Sequence, residues 1–170
     1  MLAALLKFFT HARNAPAPLR PPGAVLEKEF VQRCIKCNKC AQVCPYGSIQ
    51  MAHLHWGAGF GTPMIFARDM PCYVCMKCPP VCPTGALDNR LTQKENVRMG
   101  TAAIDTEKCL PYSGVICRAC FERCPIYREA ITLKDEIFPQ VHEDKCLGCG
   151  ICEHVCPAEE AAITVRARLE

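Results

Sequence analysis

No run of about 20 apolar residues occurs in this 170-residue chain, so nothing in it reads as a membrane-spanning helix. No C-x-x-C-H occurs either, so covalent haem is not indicated. Aromatic residues make up only 7% and are not interleaved with basic ones, which excludes the stacking platforms of single-strand nucleic-acid binders. No nucleophile-base pair and no open metal position can be found. Gly57, Gly59 and Gly61 resemble part of a dinucleotide loop, but they neither follow a clear strand nor open a helix, so HLHWGAGFGT is read as a capping loop. His53, His55, His142 and His154 stand singly, the pattern of surface or packing residues rather than ligands. No arginine pair precedes the apolar start, so no export leader is recognisable.

What the chain has in abundance is cysteine: sixteen residues in four groups of four, with none left over. Three groups read C-x2-C-x2-C-x3-C-P, the spacing that holds cubane iron-sulfur clusters. They are Cys34, Cys37, Cys40 and Cys44 before Pro45; Cys72, Cys75, Cys78 and Cys82 before Pro83; and Cys146, Cys149, Cys152 and Cys156 before Pro157. In the remaining group, Cys109, Cys117, Cys120 and Cys124 before Pro125, seven residues stand where two are expected, so residues 111–116 should bulge beside the site.

Two other uses of cysteine compete with this one. A disulfide framework suits a short cysteine-dense secreted chain, but thiols two residues apart converge on one metal core more readily than they pair with distant partners. Structural zinc uses C-x2-C pairs, yet does not need a third and fourth cysteine plus proline in every repeat. Units recurring about every 37 residues are too small to fold on an apolar core alone, so folding should depend on the clusters. The formal charge of +3 counts thiols as neutral; sixteen thiolates subtract sixteen and four oxidised cubane cores restore eight, leaving −5. The basic balance is therefore no argument for nucleic acid.

Along the chain, Met1 to Phe9 (MLAALLKFF) is apolar with one lysine, suited to lie on a lipid surface, dock on a membrane subunit or pack on the protein itself. NAPAPLRPPG follows as an extended spacer through residue 23. EKEFVQR, residues 27–33, reads as a short helix leading to Cys34. After each Cys-Pro an apolar residue returns: Ile49, Leu87, Ile131 and Ile163, five residues beyond the last cysteine in the first two units and seven in the last two. Ile104 and Val141 each open a short strand that runs into a cysteine loop. The expected fold is α+β, two tandem bacterial-type two-cluster ferredoxin modules over residues 24–97 and 98–166, each of small ββ/helix units.

In two-cluster ferredoxins the fourth cysteine of one motif ligates the cluster of the other. That rule assigns Cys34, Cys37, Cys40 and Cys82 to cluster 1, and Cys44, Cys72, Cys75 and Cys78 to cluster 2. Cluster 3 takes Cys109, Cys117, Cys120 and Cys156; cluster 4 takes Cys124, Cys146, Cys149 and Cys152. Four [4Fe-4S] centres are expected, and with no catalytic site implied the chain reads as an electron-transfer subunit of an oxidoreductase complex.

The words between the cysteines resemble the MauM/NapG-type ferredoxins, associated with methylamine utilisation and periplasmic nitrate reduction. They include Arg20-Pro21-Pro22-Gly23-Ala24, Ala67-Arg68-Asp69 with Pro71, Pro83-Thr84-Gly85-Ala86-Leu87-Asp88, and Arg98-Met99-Gly100. Further on are Leu110 with Tyr112 and Gly114, Glu129-Ala130-Ile131-Thr132-Leu133, and Val141-His142. The resemblance implies four clusters that accept electrons from a membrane-bound, quinol-oxidising partner and relay them to a terminal oxidoreductase, with the chain peripheral to the membrane. Family members carry an export leader with paired arginines and often a longer gap where this chain has Cys75-Met76-Lys77-Cys78. The competing readings are a cytoplasmic electron-wire subunit of a formate dehydrogenase- or hydrogenase-like complex, and a zinc-stabilised interaction module.

Overall fold

The computed structural model describes residues 17–168; the apolar Met1 to Phe9 segment lies outside them. Its elements are short. Helix α1, Glu27–Arg33, has Glu27 and Glu29 in its first turn and Arg33 in its last, charges that suit the helix dipole. Glu29 pairs with Arg33 one turn on, and Phe30 faces inward, fully buried. The helix ends where Cys34 turns to extended backbone. Helices α2 (Lys39–Gln42), α3 (Ala119–Glu122) and α4 (Ile151–His154) are single turns, each carrying the third cysteine of its group: Cys40, Cys120 and Cys152.

Three antiparallel strand pairs connect these pieces. β1 (Gln50–Met51) pairs with β2 (Pro63–Met64). β3 (Gly100–Ile104) pairs with the last strand, β6 (Ile163–Ala167), so that Ile104 lies opposite Ile163. β4 (Ile131–Lys134) and β5 (Phe138–Val141) form a hairpin inside that pair. The first half follows the same order in reduced form: an isolated bridge from Ala24 to Leu87 encloses β1 and β2. Mixed small helices and strands around cysteine loops make this a small α+β iron-sulfur fold.

Apolar residues that follow each Cys-Pro are all buried: Ile49, Leu87, Ile131 and Ile163. One core cluster runs from Leu19, Phe30 and Leu87 across to Leu147 and Cys149, so the halves share an interior. The second gathers Ala102, Ile131 and Ile163. The proline-rich run read as a spacer differs from that expectation over residues 19–22, which are buried. The reason is Arg20. Its guanidinium donates to both Glu27 carboxylate oxygens (2.8 and 2.6 Å), to Thr62 Oγ1 (2.8 Å) and to the Pro63 carbonyl (2.7 Å), and lies over the Phe30 ring. A charge this buried is tolerable because every guanidinium nitrogen has a partner and a carboxylate faces it.

The segment Leu54–Gly59 is a 3-10 turn closed onto β2, with Thr62 N–H donating to the Gly59 carbonyl. Leu110–Ser113 is another 3-10 turn, ended by Gly114 at φ 82°, and the bulge beyond it leaves Ile116 81% exposed. Among the described residues no helix is long and apolar enough to cross a membrane.

Candidate metal centres

All sixteen cysteines are free thiols, and the loops gather them across sequence. Cys34, Cys37 and Cys40 share a pocket with Cys82, walled by Phe30, Ala86 and Leu87. Cys109, Cys117 and Cys120 share one with Cys156, walled by Ile104, Pro139 and Ile163. Cys146, Cys149 and Cys152 share one with Cys124, walled by Ala102, Ile131 and Val165. Cys72 has Cys149, Cys75 and Cys44 near enough for their charge to act on its thiol, and Cys78 has Cys72, Cys40 and Cys75, so this set lies close to both the Cys34 and the Cys146 loops.

How the loops do this is visible in the backbone. In the first motif the residues on either side of the middle cysteine, Lys36 (φ 58°) and Asn38 (φ 63°), are left-handed. Val74 (φ 51°) and Met76 (φ 59°) repeat the pattern around Cys75, and Gly148 (φ 70°) and Gly150 (φ 82°) around Cys149. Left-handed backbone costs about 1–2 kcal/mol at a residue other than glycine, and a β-branched valine there is an outlier. The loops thus hold strain that wraps the chain round a common centre. Around Cys117 neither neighbour has positive φ, and Gly114 in the seven-residue insertion takes the left-handed turn instead.

Burial dominates the thiol chemistry. Desolvation pushes Cys40 up to about 11, with Cys34 and Cys37 adding like charge. Cys72 is pushed up to about 12 by burial, then by Cys149, Cys75 and Cys44; Cys120 reaches about 12 and Cys149 about 11 for the same kind of reason. Cys78 and Cys152 are raised as well, burial first. Cys44 and Cys82 go the other way: burial raises each, but backbone donors, led by Tyr46 and Ser48 at Cys44 and by Leu87 and Thr84 at Cys82, outweigh it. Crowded buried thiols of this kind ionise together only when a cationic core neutralises them.

The donor set fits a cubane. Among the described residues no three or more His, Cys, Asp or Glu side chains converge as a single-ion site. In a cubane each thiolate binds a different iron, and a wider ring of four cysteines is what that chemistry takes. Backbone N–H groups also aim at sulfur, Val74 to Cys72 Sγ (3.4 Å), Leu87 to Cys82 Sγ (3.4 Å) and Ala162 to Cys156 Sγ (3.3 Å). Of the histidines, His142 meets Thr132 Oγ1 at 2.8 Å and His154 Nδ1 meets the Arg68 carbonyl at 2.9 Å.

Two features escape sequence reasoning. Arg68 donates to the carbonyls of Glu153 (2.8 Å), Cys156 (2.8 Å) and Ala158 (2.9 Å), clamping the first half to the turn that carries Cys156. The Cys146 loop is sealed against the first half, with Cys72 N–H donating to the Cys149 carbonyl at 2.8 Å. Its only trace in sequence is the glycine pair: a Cβ at Gly148 would strike the Gly100 backbone, and one at Gly150 would strike Ala67.

Comparison with known proteins agrees with this chemistry. A family model for the 4Fe-4S dicluster domain matches residues 33–86, and one for the 4Fe-4S binding domain matches residues 139–159. The ferredoxin-type protein NapG of Escherichia coli is 43% identical over 167 residues, 91% of this chain and 72% of that protein. The methylamine utilization ferredoxin-type protein MauM of Methylorubrum extorquens is 41% identical over 176 residues, 97% of this chain and 80% of that protein. The chain belongs to the NapG/MauM ferredoxin-type family. A second MauM, from Methylobacillus flagellatus, is 44% identical over 170 residues, covering 92% of the chain and 73% of the relative. As a member of this family the protein binds multiple [4Fe-4S] clusters and transfers electrons.

Proposed function

We propose that the protein is an electron-transfer subunit, without a catalytic site of its own, that relays electrons through four [4Fe-4S] clusters between a membrane-bound, quinone-linked partner and an oxidoreductase. Residues 24–97 and 98–166 are the two modules. Clusters 1 and 2 sit on Cys34, Cys37, Cys40 and Cys82, and on Cys44, Cys72, Cys75 and Cys78. Clusters 3 and 4 sit on Cys109, Cys117, Cys120 and Cys156, and on Cys124, Cys146, Cys149 and Cys152. The observation that carries this reading is the sharing of pockets by distant cysteines, Cys82 with the Cys34 loop and Cys156 with the Cys109 loop.

The charge that one thiol set exerts on the next orders the four. Cys78 feels Cys40, Cys72 feels Cys149, and Cys152 feels Cys120. The sequence of sites is therefore 1, 2, 4, 3, with the Cys34 and Cys109 sites at the ends. Each cubane supplies a one-electron store at its site. The chain's own residues set the spacing, exclude water with Phe30, Leu87, Ile131 and Ile163, and donate N–H groups to ligand sulfur. The quinone-linked partner rests on the family resemblance, and peripheral membrane contact through Met1 to Phe9 belongs to the same proposal.

The test is anaerobic purification from gently solubilised membranes, with mass spectrometry of what stays bound and redox-poised EPR of the clusters. Recovery with a polytopic membrane subunit and reduction by a quinol analogue is the expected result. Recovery from the soluble fraction with a catalytic subunit, with clusters reducible only at low potential, would replace this reading with the cytoplasmic wire.

A further inference from the structure

The two ends of this order are chemically unlike. At the Cys34 end every residue from 35 to 39 is exposed, Cys37 included. Ile35 is 63% exposed, and the Lys36 ammonium reaches over the ring of Phe60, itself 47% exposed, at 5.8 Å. Leu54 stands out from the same neighbouring loop. No Asp or Glu occurs between Glu29 and Asp69, and Glu29 and Asp88 are already paired, with Arg33 and Arg90. Lys28 and Lys39 are exposed and form no ion pair among the described residues. The face is thus an apolar centre with an uncompensated basic rim, the anatomy of a transient protein interface.

The Cys109 end presents exposed Val115 and Ile116 with charges of both signs, Glu107, Glu122 and Glu159 against Arg118 and Arg123, while Lys108 and Glu160 pair with each other at 2.5 Å. Over residues 98–166 acidic residues outnumber basic ones, and over residues 24–97 the reverse holds. Positive surroundings and solvent exposure both favour the reduced, more negative form of a cluster. Both factors are met at the Cys34 end, where Cys37 alone of the sixteen cysteines is exposed.

We propose that the face formed by Ile35, Lys36, Lys39, Leu54 and Phe60 docks an acidic-surfaced one-electron carrier protein and is the end at which electrons leave the chain. One electron passes out per encounter, the carrier's oxidised metal centre is reduced by one, and no proton moves. This rests on the four-cluster reading above.

The experiment uses dithionite-reduced holoprotein and two outer-sphere oxidants as probes, the anionic cobalt(III)-EDTA complex and the cationic hexaamminecobalt(III) ion, followed by stopped flow at low and high salt. Iron, sulfide and EPR first establish that four clusters are present; their absence would overturn the four-cluster reading itself. With clusters present, Lys36→Glu/Lys39→Glu should slow oxidation by the anionic probe about tenfold at low salt, and the loss should vanish at high salt. The charge-matched control Lys94→Glu/Lys134→Glu should stay within about twofold. Lys28→Glu/Lys39→Glu serves if the first variant loses iron, since Lys28 lies outside the cysteine loop. Equal slowing in control and variant, or a lower potential at the Cys34 site than at the Cys109 site in an EPR titration, overturns the docking proposal alone.

Discussion

The backbone amide of Cys72 donates a 2.8 Å hydrogen bond to the carbonyl of Cys149. Two cysteines from different halves are thereby joined through main chain, and the charge of one thiol is felt by the other. No side-chain replacement removes this bond directly, which makes it a fixed element of the junction.

Such closeness predicts magnetic interaction. In reduced holoprotein the signals of the Cys72 and Cys146 sites should be broadened by each other. Cys124→Ser, which strips a ligand from the Cys146 site, should narrow the signal from the Cys72 site. An unchanged line shape after verified loss of the Cys146 cluster would place the two sites far apart.

Crossed sharing of pockets makes a second prediction. Cys82→Ala should abolish the cluster on the Cys34 loop and spare the one on the Cys72 loop, although Cys82 follows Cys78 by four residues. Iron content should fall by about four atoms per chain, and EPR of the remaining centres identifies which was lost. Loss confined to the Cys72 site would sink the crossed arrangement.

Glycine offers a stability test with its own control. Gly47 (φ 66°) and Gly148 (φ 70°) have nearly the same backbone strain for an added Cβ, but nothing lies within 4 Å of the first, whereas the Gly100 backbone blocks the second. Gly47→Ala should cost about 1 kcal/mol. Gly148→Ala should cost about 3 kcal/mol or more, because overpacking adds to the strain. Chemical denaturation of the anaerobic holoproteins measures both; equal losses would mean the Gly100 contact is not made.

Thiol protonation sets a pH dependence. Before iron binds, burial pushes Cys40, Cys72, Cys120 and Cys149 up to about 11 or 12, so at neutral pH they hold protons that iron must displace. A raised acid pKa favours the protonated, cluster-free state as pH falls, and cluster occupancy gains as pH rises from 6 toward 9. Visible absorbance at equilibrium with a competing chelator should show occupancy dropping on acidification; a flat profile over that range would contradict the burial of these thiols.

Cysteine spacing made most of the chemistry legible, because ligand geometry is written in intervals of two and three residues. Ile49, Leu87, Ile131 and Ile163 were legible as core for a similar reason: each follows its Cys-Pro at a fixed offset. Arg20 was hidden in a proline-rich run that composition reads as solvated, since its partners Thr62 and Pro63 are more than 40 residues away. Arg68 was visible only as part of a family word, its carbonyl partners lying beyond residue 150. The left-handed Lys36, Val74 and Met76 gave no signal, because none is a residue that prefers such backbone. The glycines around Cys149 declared it, and Asn38 beside Cys37 did so more weakly.

Residues 146–150 are buried without exception, while residues 35–39 are exposed without exception. On the four-cluster reading, that contrast predicts an order of manufacture and of decay. A delivery protein can reach the Cys146 loop only before the two halves close over it, so the innermost centre must be installed first and the Cys34 centre can be fitted last. Oxygen meets the same geometry in reverse: the outermost cubane is the first to be attacked, and it can be replaced without opening the molecule.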